Sequence, residues 1–295
     1  MKAKGRPLIF GEVLFDCFPD GSRVLGGAPF NVAWNLRALG LEPLFVSRVG
    51  ADAAGNEVRE RMRQWGLSDE ALQQDPEHAT GRVEVRIVEN EPTYEIVRDS
   101  AWDHLAADGL PTEAPSLLYH GTLAAREADS ARALESLRRG PAPIFVDVNL
   151  RPPWWQRGRV LELLQGVRWI KLNRAELASL TSDGAGMVEQ AHRLLTACPQ
   201  AELLLVTDGE YGGLALTEKG ERLQLPPPPR RQPVDTVGAG DAFASVVILG
   251  LLSGWPLPLL LERAQEFAAA LVEVRGATLA DPDFYQPFRR SWSSA

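Results

Sequence analysis

Short apolar runs alternate with stretches of helical periodicity along most of this chain. Residues 8–13 form an apolar run of strand type, followed by glycines and a helical stretch at 29–39. Gly40 stands where a helix C-cap belongs, and Pro29 suits a first helical turn. The pattern then predicts strands at 44–49, 117–120, 144–148, 169–172 and 203–207. Between and around them it predicts helices at 54–65, 127–139, 160–165, 175–180 and 188–197, two of which stop at Gly66 and Gly140. Strands this short and apolar, alternating with helices, point to a parallel sheet covered on both faces.

Residues 82–87 depart from that pattern. Arg82, Glu84 and Arg86 alternate with Val83, Val85 and Ile87, and the alternation resumes at Tyr94 and Ile96 after Glu89-Asn90-Glu91-Pro92. One apolar face on a hairpin is the mark of an antiparallel flap, used as a lid, as a dimer interface or as a plain edge hairpin. A second hairpin is predicted from 213–217 and 222–225, ahead of a stiff proline-rich connector at 226–233. At 295 residues the chain could hold one large domain or two modest ones. No internal repeat or composition shift divides it, so the reading is a single α/β domain over 1–295. Its small β lid comes from about 14–25 and 81–99.

Composition removes several function classes. A net charge of −8 argues against wrapping a nucleic acid. The lysines are Lys2, Lys4, Lys171 and Lys219, and none stands in a G-x-x-x-x-G-K-[ST] pattern, which excludes a P-loop. Residues 242–261 are twenty positions without a charge, but Gly254, Pro256 and Pro258 interrupt them, so a membrane span is not expected. Cys17 and Cys198 are too few for a disulfide scaffold and fit a reducing cytoplasm. The first seven residues run into a strand without an apolar signal core, so no leader is expected. His78, His104, His120 and His192 show no metal-ligand spacing along the chain.

Two clusters could carry chemistry. In Asp235-Thr236-Val237-Gly238-Ala239-Gly240-Asp241-Ala242-Phe243, the spacing of Phe243, Val246, Val247 and Gly250 starts a helix near Gly240. Backbone N–H groups at Gly238, Ala239 and Gly240, together with the helix dipole, make an anion site without any lysine. Asp241 either complements that dipole or acts as the base that phosphoryl transfer requires beside an anion hole. The second cluster is Gly26-Gly27-Ala28-Pro29-Phe30-Asn31, a tight turn with Asn31 about one turn into a helix. Asp16 follows the first strand at the edge where open α/β sheets place ligands, either as a sugar-hydroxyl acceptor or as a solvated loop acid.

Together, residues 26–40 and 235–245 closely resemble the two signature segments of the ribokinase-like (PfkB) carbohydrate kinases. Further pieces are similar to the fructokinase branch: Ala101-Trp102-Asp103, His120-Gly121-Thr122-Leu123 and Asp147-Val148-Asn149-Leu150-Arg151. The resemblance implies a ribokinase-like three-layer sandwich with a mainly parallel central sheet and a small antiparallel β lid. It implies an ATP-dependent sugar kinase, with fructose converted to fructose 6-phosphate as the leading expectation. Kinases for 2-keto-3-deoxygluconate, ribose or a nucleoside are the alternatives, with a non-catalytic sugar or nucleotide sensor in a different class. Asp241 would be the base and Gly238, Ala239 and Gly240 the anion hole. Asp16, Gly27, Asn31, Trp102 and Arg151 would face the sugar. Asn173, Glu176, Thr207 and Gly209 would face the nucleotide, with Glu176 placing Mg²⁺ through water. Asp235 and Thr236 would lie at a site for a monovalent cation, K⁺ being the candidate. A homodimer through the β lid and a cytoplasmic location complete the expectation.

Overall fold

The computed structural model describes residues 5–88, 91–111, 113–181, 184–228 and 234–292. The first strands and helices are β1 (Pro7–Phe10), β2 (Leu14–Cys17), β3 (Arg23–Gly26), α1 (Ala28–Ala38), β4 (Leu44–Gly50), α2 (Ala53–Trp65) and β5 (Leu72–Asp75). The middle of the chain adds β6 (Gly81–Val88), β7 (Glu91–Ile96), β8 (Leu117–His120), α3 (Ala128–Arg138), β9 (Ile144–Asp147), α4 (Arg157–Leu163), β10 (Trp169–Asn173) and α5 (Arg174–Thr181). The rest comprises α6 (Met187–Ala197), β11 (Leu203–Thr207), β12 (Gly213–Thr217), β13 (Arg222–Leu225), α7 (Ala239–Ser253), α8 (Leu257–Leu271) and α9 (Pro282–Trp292).

Nine strands form one sheet in the order β13-β12-β11-β10-β9-β8-β1-β4-β5. The pairings from β11 through to β5 are parallel, and β12 and β13 add an antiparallel edge. Strand alternation divides the core into two layers. Ile9, Phe45, Tyr119, Phe145 and Leu205 face α1, α7 and α8, whereas Leu8, Val46, Leu118, Val146 and Val206 face α3, α5 and α6. Helices on both faces thus make the three-layer α/β sandwich.

The apolar stretch at 242–261 is divided as its breakers require. Gly254 ends α7 in a left-handed C-cap, and α8 starts after Pro256 with a proline in its first turn. No helix among the described residues is long and apolar enough to cross a membrane. Beyond the expected pattern, α9 brings Phe284, Tyr285, Phe288 and Trp292 against Phe267 of α8. Its aromatic positions are interleaved with Pro287 and two arginines.

The lid is a four-stranded sheet in the order β3-β2-β6-β7. Two antiparallel hairpins, β2–β3 and β6–β7, join through a parallel β2–β6 pairing that sets Asp16 opposite Val83. Glu89 and Asn90 of the expected turn lie outside the described residues, as does the 229–233 part of the proline-rich connector. Val83 and Val85 are already buried within a single chain, so covering them does not require a partner. Among the described residues, Val24 and Tyr94 are large exposed apolar side chains of the lid, with Phe18 at its rim.

Candidate active site

The carboxyl ends of β1, β8, β9, β10 and β11 open onto the N-termini of α1 and α7, the edge where open parallel sheets bind ligands. At its centre α7 begins after Gly238, whose left-handed backbone (φ 82°) suits glycine. A side chain there would also meet the Ala277 methyl carbon at 2.3 Å. Amides in the first turn of a helix have no intrahelical acceptor, so those of Gly240 and Asp241 are available to an anion. Gly238→Ala is expected to cost about 1–3 kcal/mol from backbone strain alone. The companion expectation is a raised KM for the nucleotide, read by thermal melts and steady-state kinetics.

Asp241, in the first turn of α7, accepts a hydrogen bond from Asn31 Nδ2 at 2.7 Å. The two signature segments, 210 positions apart, therefore meet at one carboxylate. The Asp241 pKa is raised from 3.8 to about 6, chiefly by burial and also by Asp147, against the opposing bond from Asn31 and the charges of Lys171 and Arg151. A carboxyl group so poised is ionised at neutral pH yet basic enough to take a hydroxyl proton.

Beneath this helix end lies a buried ion pair. Lys171 Nζ donates to Asp147 Oδ2 at 2.7 Å, and both side chains are nearly inaccessible. Desolvation alone would lower the Lys171 pKa, but Asp147, Asp241 and Glu176 together hold it above its usual value. A methyl group on Gly240 would come within 3.1 Å of Lys171 Nζ, so the ammonium group sits against the first turn of α7.

The N-x-x-E element is, in this fold, a capping box at the start of α5. Asn173 Oδ1 accepts from the Glu176 N–H at 2.9 Å, and Glu176 Oε2 accepts from the Asn173 N–H at 2.8 Å. Glu176 Oε1 also accepts from the Leu150 N–H at 2.8 Å, which fastens the loop carrying Arg151. Burial and the nearby Asp147 raise the Glu176 pKa. Asn173 stands opposite Thr207 in the β10–β11 register, so the expected nucleotide-side residues share one strand edge, with Gly209 just beyond.

On the sugar side, a side chain at Gly26 would lie 3.9 Å from both Asp16 Oδ2 and Asn31 Oδ1, so these polar groups converge over that glycine. Gly27 (φ 111°) opens α1, and a side chain there would strike the Glu12 carbonyl oxygen at 2.6 Å. Arg151 is exposed, and its charge opposes the burial-driven pKa rises of Asp16, Glu12 and Asp241. Asp235 Oδ1 accepts from Val237 N–H and Oδ2 from Gly276 N–H, which ties the turn carrying Thr236 to the loop after α8.

Trp102 is placed differently from the expectation. Its ring has no exposed surface, and the Arg126 guanidinium lies 4.1 Å from its centroid. Arg126 makes a buried bidentate pair with Asp103 and stacks its other side on Trp154 at 4.3 Å. Ser100 and Asp103 cap the one-turn helix that holds Trp102 inward, so the ring belongs to the core rather than to a sugar face.

Several residues here were not singled out from sequence. Glu12 is buried, with its pKa raised by desolvation to about 7 and with Asp241 and Arg151 as charged neighbours. Its position next to Gly11 at the end of β1 was the available signal. Asp147 lay in a motif already noted, and Lys171 is one of very few lysines. Neither residue's partner could be read from spacing.

Residues 17–283 match the model of the pfkB family of carbohydrate kinases. Fructokinase of Klebsiella pneumoniae is 32% identical over 94% of this chain and 96% of its own length. The fructokinase of Vibrio cholerae O395, in a form with bound fructose, ADP and calcium, superposes with a TM-score of 0.83 at 22% identity, covering 98% of this chain and 99% of that one. Aminoimidazole riboside kinase of Salmonella enterica has a TM-score of 0.82 at 24% identity, covering 96% of this chain and 99% of its own. The fold and the site define a sugar kinase of the ribokinase-like class. The chain belongs to the pfkB carbohydrate kinase family, and within it is a fructokinase-like sugar kinase.

Proposed function

We propose that this kinase transfers the γ-phosphoryl group of ATP to the 6-hydroxyl of fructose. The observation that carries the reading is the Asn31–Asp241 contact at the α7 N-terminus, which puts a base and an anion site at one point. Asp241 takes the hydroxyl proton as attack begins. The free amides at the start of α7, those of Gly240 and Asp241, receive the charge of the moving phosphoryl with Lys171 beneath them, whereas the Ala239 N–H donates to the Thr236 carbonyl. Asp16, Asn31 and Arg151 orient the sugar. The four groups at Asn173, Glu176, Thr207 and Gly209 line the nucleotide side.

Mg²⁺ fits the donor set as a water-held ion. Both Glu176 oxygens already accept backbone N–H groups, which leaves their remaining lone pairs for metal-bound water rather than for direct ligation. Bound there, Mg²⁺ would neutralise charge on the β- and γ-phosphates. A monovalent cation near Asp235 and Thr236 is part of the same proposal. Free Cys17 and Cys198 support a reducing cytoplasm. Exposed Val24 and Tyr94 on the lid support a homodimer, and a light-scattering mass of one chain at micromolar concentration would remove it.

The deciding assay is ADP release, coupled to NADH oxidation, across fructose, 2-keto-3-deoxygluconate, ribose and nucleosides, with and without K⁺. The highest kcat/KM is expected for fructose; a nucleoside ahead of it would overturn the substrate assignment. Absence of turnover with every acceptor would favour a sensor. The pH dependence has a defined sign. Because the base must be ionised, kcat/KM should rise with pH through about 6 and level off above it. A profile flat from pH 5 to 8 would remove Asp241 from that role.

A further inference from the structure

Away from the kinase site, five side chains from separated parts of the chain converge at the base of the lid. His78 Nδ1 lies 3.1 Å from Asp75 Oδ2, and His104 Nδ1 lies 3.0 Å from Asp129 Oδ2. Asp75 is buried and accepts the N–H groups of Glu77 and His78 as well as Arg48, so it is an ionised acceptor for the imidazole N–H. Asp129, which also pairs with Arg132, does the same for His104. With Nδ1 held by a carboxylate, each histidine has Nε2 as the atom it can offer to a metal ion. Both Nε2 atoms lie near one carboxylate oxygen, Asp99 Oδ1, at 3.6 Å from His78 and at a hydrogen-bonding 2.9 Å from His104, so that without an ion the His104 ring bridges Asp99 and Asp129.

That is the donor chemistry of a transition-metal site. Metal-binding histidines almost always give their other N–H to a carboxylate, which fixes the tautomer and raises ligand basicity. In tetrahedral coordination with bonds of about 2.0–2.2 Å, neighbouring ligand atoms lie roughly 3.3–3.5 Å apart. The two observed nitrogen–oxygen separations bracket that value, and all three ligand atoms lie within 4.8 Å of one another. The imidazole rings are stacked with centroids 3.7 Å apart and planes 17° apart, so closing on one ion requires them to splay about their Nδ1–carboxylate bonds. The imidazoles also line a cavity of about 590 Å³ with Arg48, Asp75, Asp129 and Arg132, which provides entry and room for a water ligand.

We propose that His78 Nε2, His104 Nε2 and the Asp99 carboxylate form a binding site for a zinc-class divalent cation, with Asp75 and Asp129 orienting the imidazoles. His78 stands three positions before β6 and Asp99 three after β7, so the ion ties both feet of the lid hairpin to the body. Two nitrogen donors and one oxygen select Zn²⁺ or Co²⁺ over Mg²⁺, which prefers oxygen and water.

The test uses the full chain after dialysis against a chelator. Zn²⁺ is titrated calorimetrically in excess Mg²⁺ and ADP, which occupy the phosphoryl-transfer site. One equivalent should bind. Asp129→Asn should weaken binding by about 10–100-fold through the lost orientation of His104. His78→Gln/His104→Gln and, separately, the exposed Asp99→Asn should abolish the high-affinity phase while leaving Zn²⁺-free kinase activity unchanged. Co²⁺ should give visible d–d absorption with the wild type that both ligand variants lose. Absence of Zn²⁺ binding to the wild type, or an isotherm shared by the wild type and the Asp99→Asn protein, would overturn the site.

Discussion

Asp241→Asn is expected to lower kcat by about 10²–10⁴-fold, the usual contribution of a positioned base, while the protein stays folded and binds ATP. The substitution keeps the shape and the Asn31 contact but removes the basic oxygen. Asp241 has lost part of its hydration to the protein, so exchanging it for a neutral amide should leave the melting temperature near that of the wild type or raise it. Stopped-flow or coupled assays with saturating ATP and sugar read the rate, and calorimetry reads ATP affinity. Asn31→Ala should act in the same direction more weakly. Its hydrogen bond lowers the Asp241 pKa, so losing it shifts the pH–rate limb upward. A variant at Asp241 that turns over within tenfold of wild type would exclude it as the base.

The second large effect concerns the buried pair beneath the anion site. Asp147→Asn or Lys171→Met alone should destabilise the fold by about 3–5 kcal/mol, because each leaves one charge buried without its partner. Removing both charges together, as Lys171→Met/Asp147→Leu, should restore most of that stability, since well-packed apolar replacements of a buried pair are often neutral or better. Activity should not return. Lys171 lies against Gly240, so its loss removes positive charge from beneath the transferred phosphoryl, while the loss of Asp147, which raises the Asp241 pKa, offsets the loss of Lys171, which lowers it. A fall in kcat of about tenfold or more is expected in the refolded double variant, by analogy with losing one electrostatic donor. Denaturant melts combined with kinetics separate the two roles. A double variant with wild-type kcat would make the pair purely structural.

Much of the fold is legible along the chain because parallel α/β architecture writes itself locally. Strands such as 117–120 and 203–207 are short, largely apolar runs, and their bounds match the structure. The lid's first half was harder. β2 and β3 are four residues each, too short to show a period of two, and their strand character rests on pairing with each other and on that of β2 with β6. Trp102 shows the same limit from another side. An aromatic residue beside an acid reads equally well as a sugar platform or as core, and only the stack with Arg126 decides for the core.

The site divides in the same way. Glycines with an acid at a helix start are local information, because backbone conformation and dipole act within a few residues. Asp241, Gly238 and Gly27 could therefore be named from sequence together with a plausible chemistry. That the N-x-x-E element is a capping box was also local. Its hold on Leu150, across 26 positions, was not. Lys171 against Asp147, Glu12 beside Arg151, and His78 with His104 on Asp99 are encounters between distant segments. Burial and Coulomb interaction depend on three-dimensional proximity, which one-dimensional spacing does not contain. The sequence by itself determined that phosphate must be handled without a P-loop lysine, at the start of a glycine-led helix. The tertiary structure decided that a lysine is present after all, under that helix rather than in a loop, with its charge held in place by a buried aspartate.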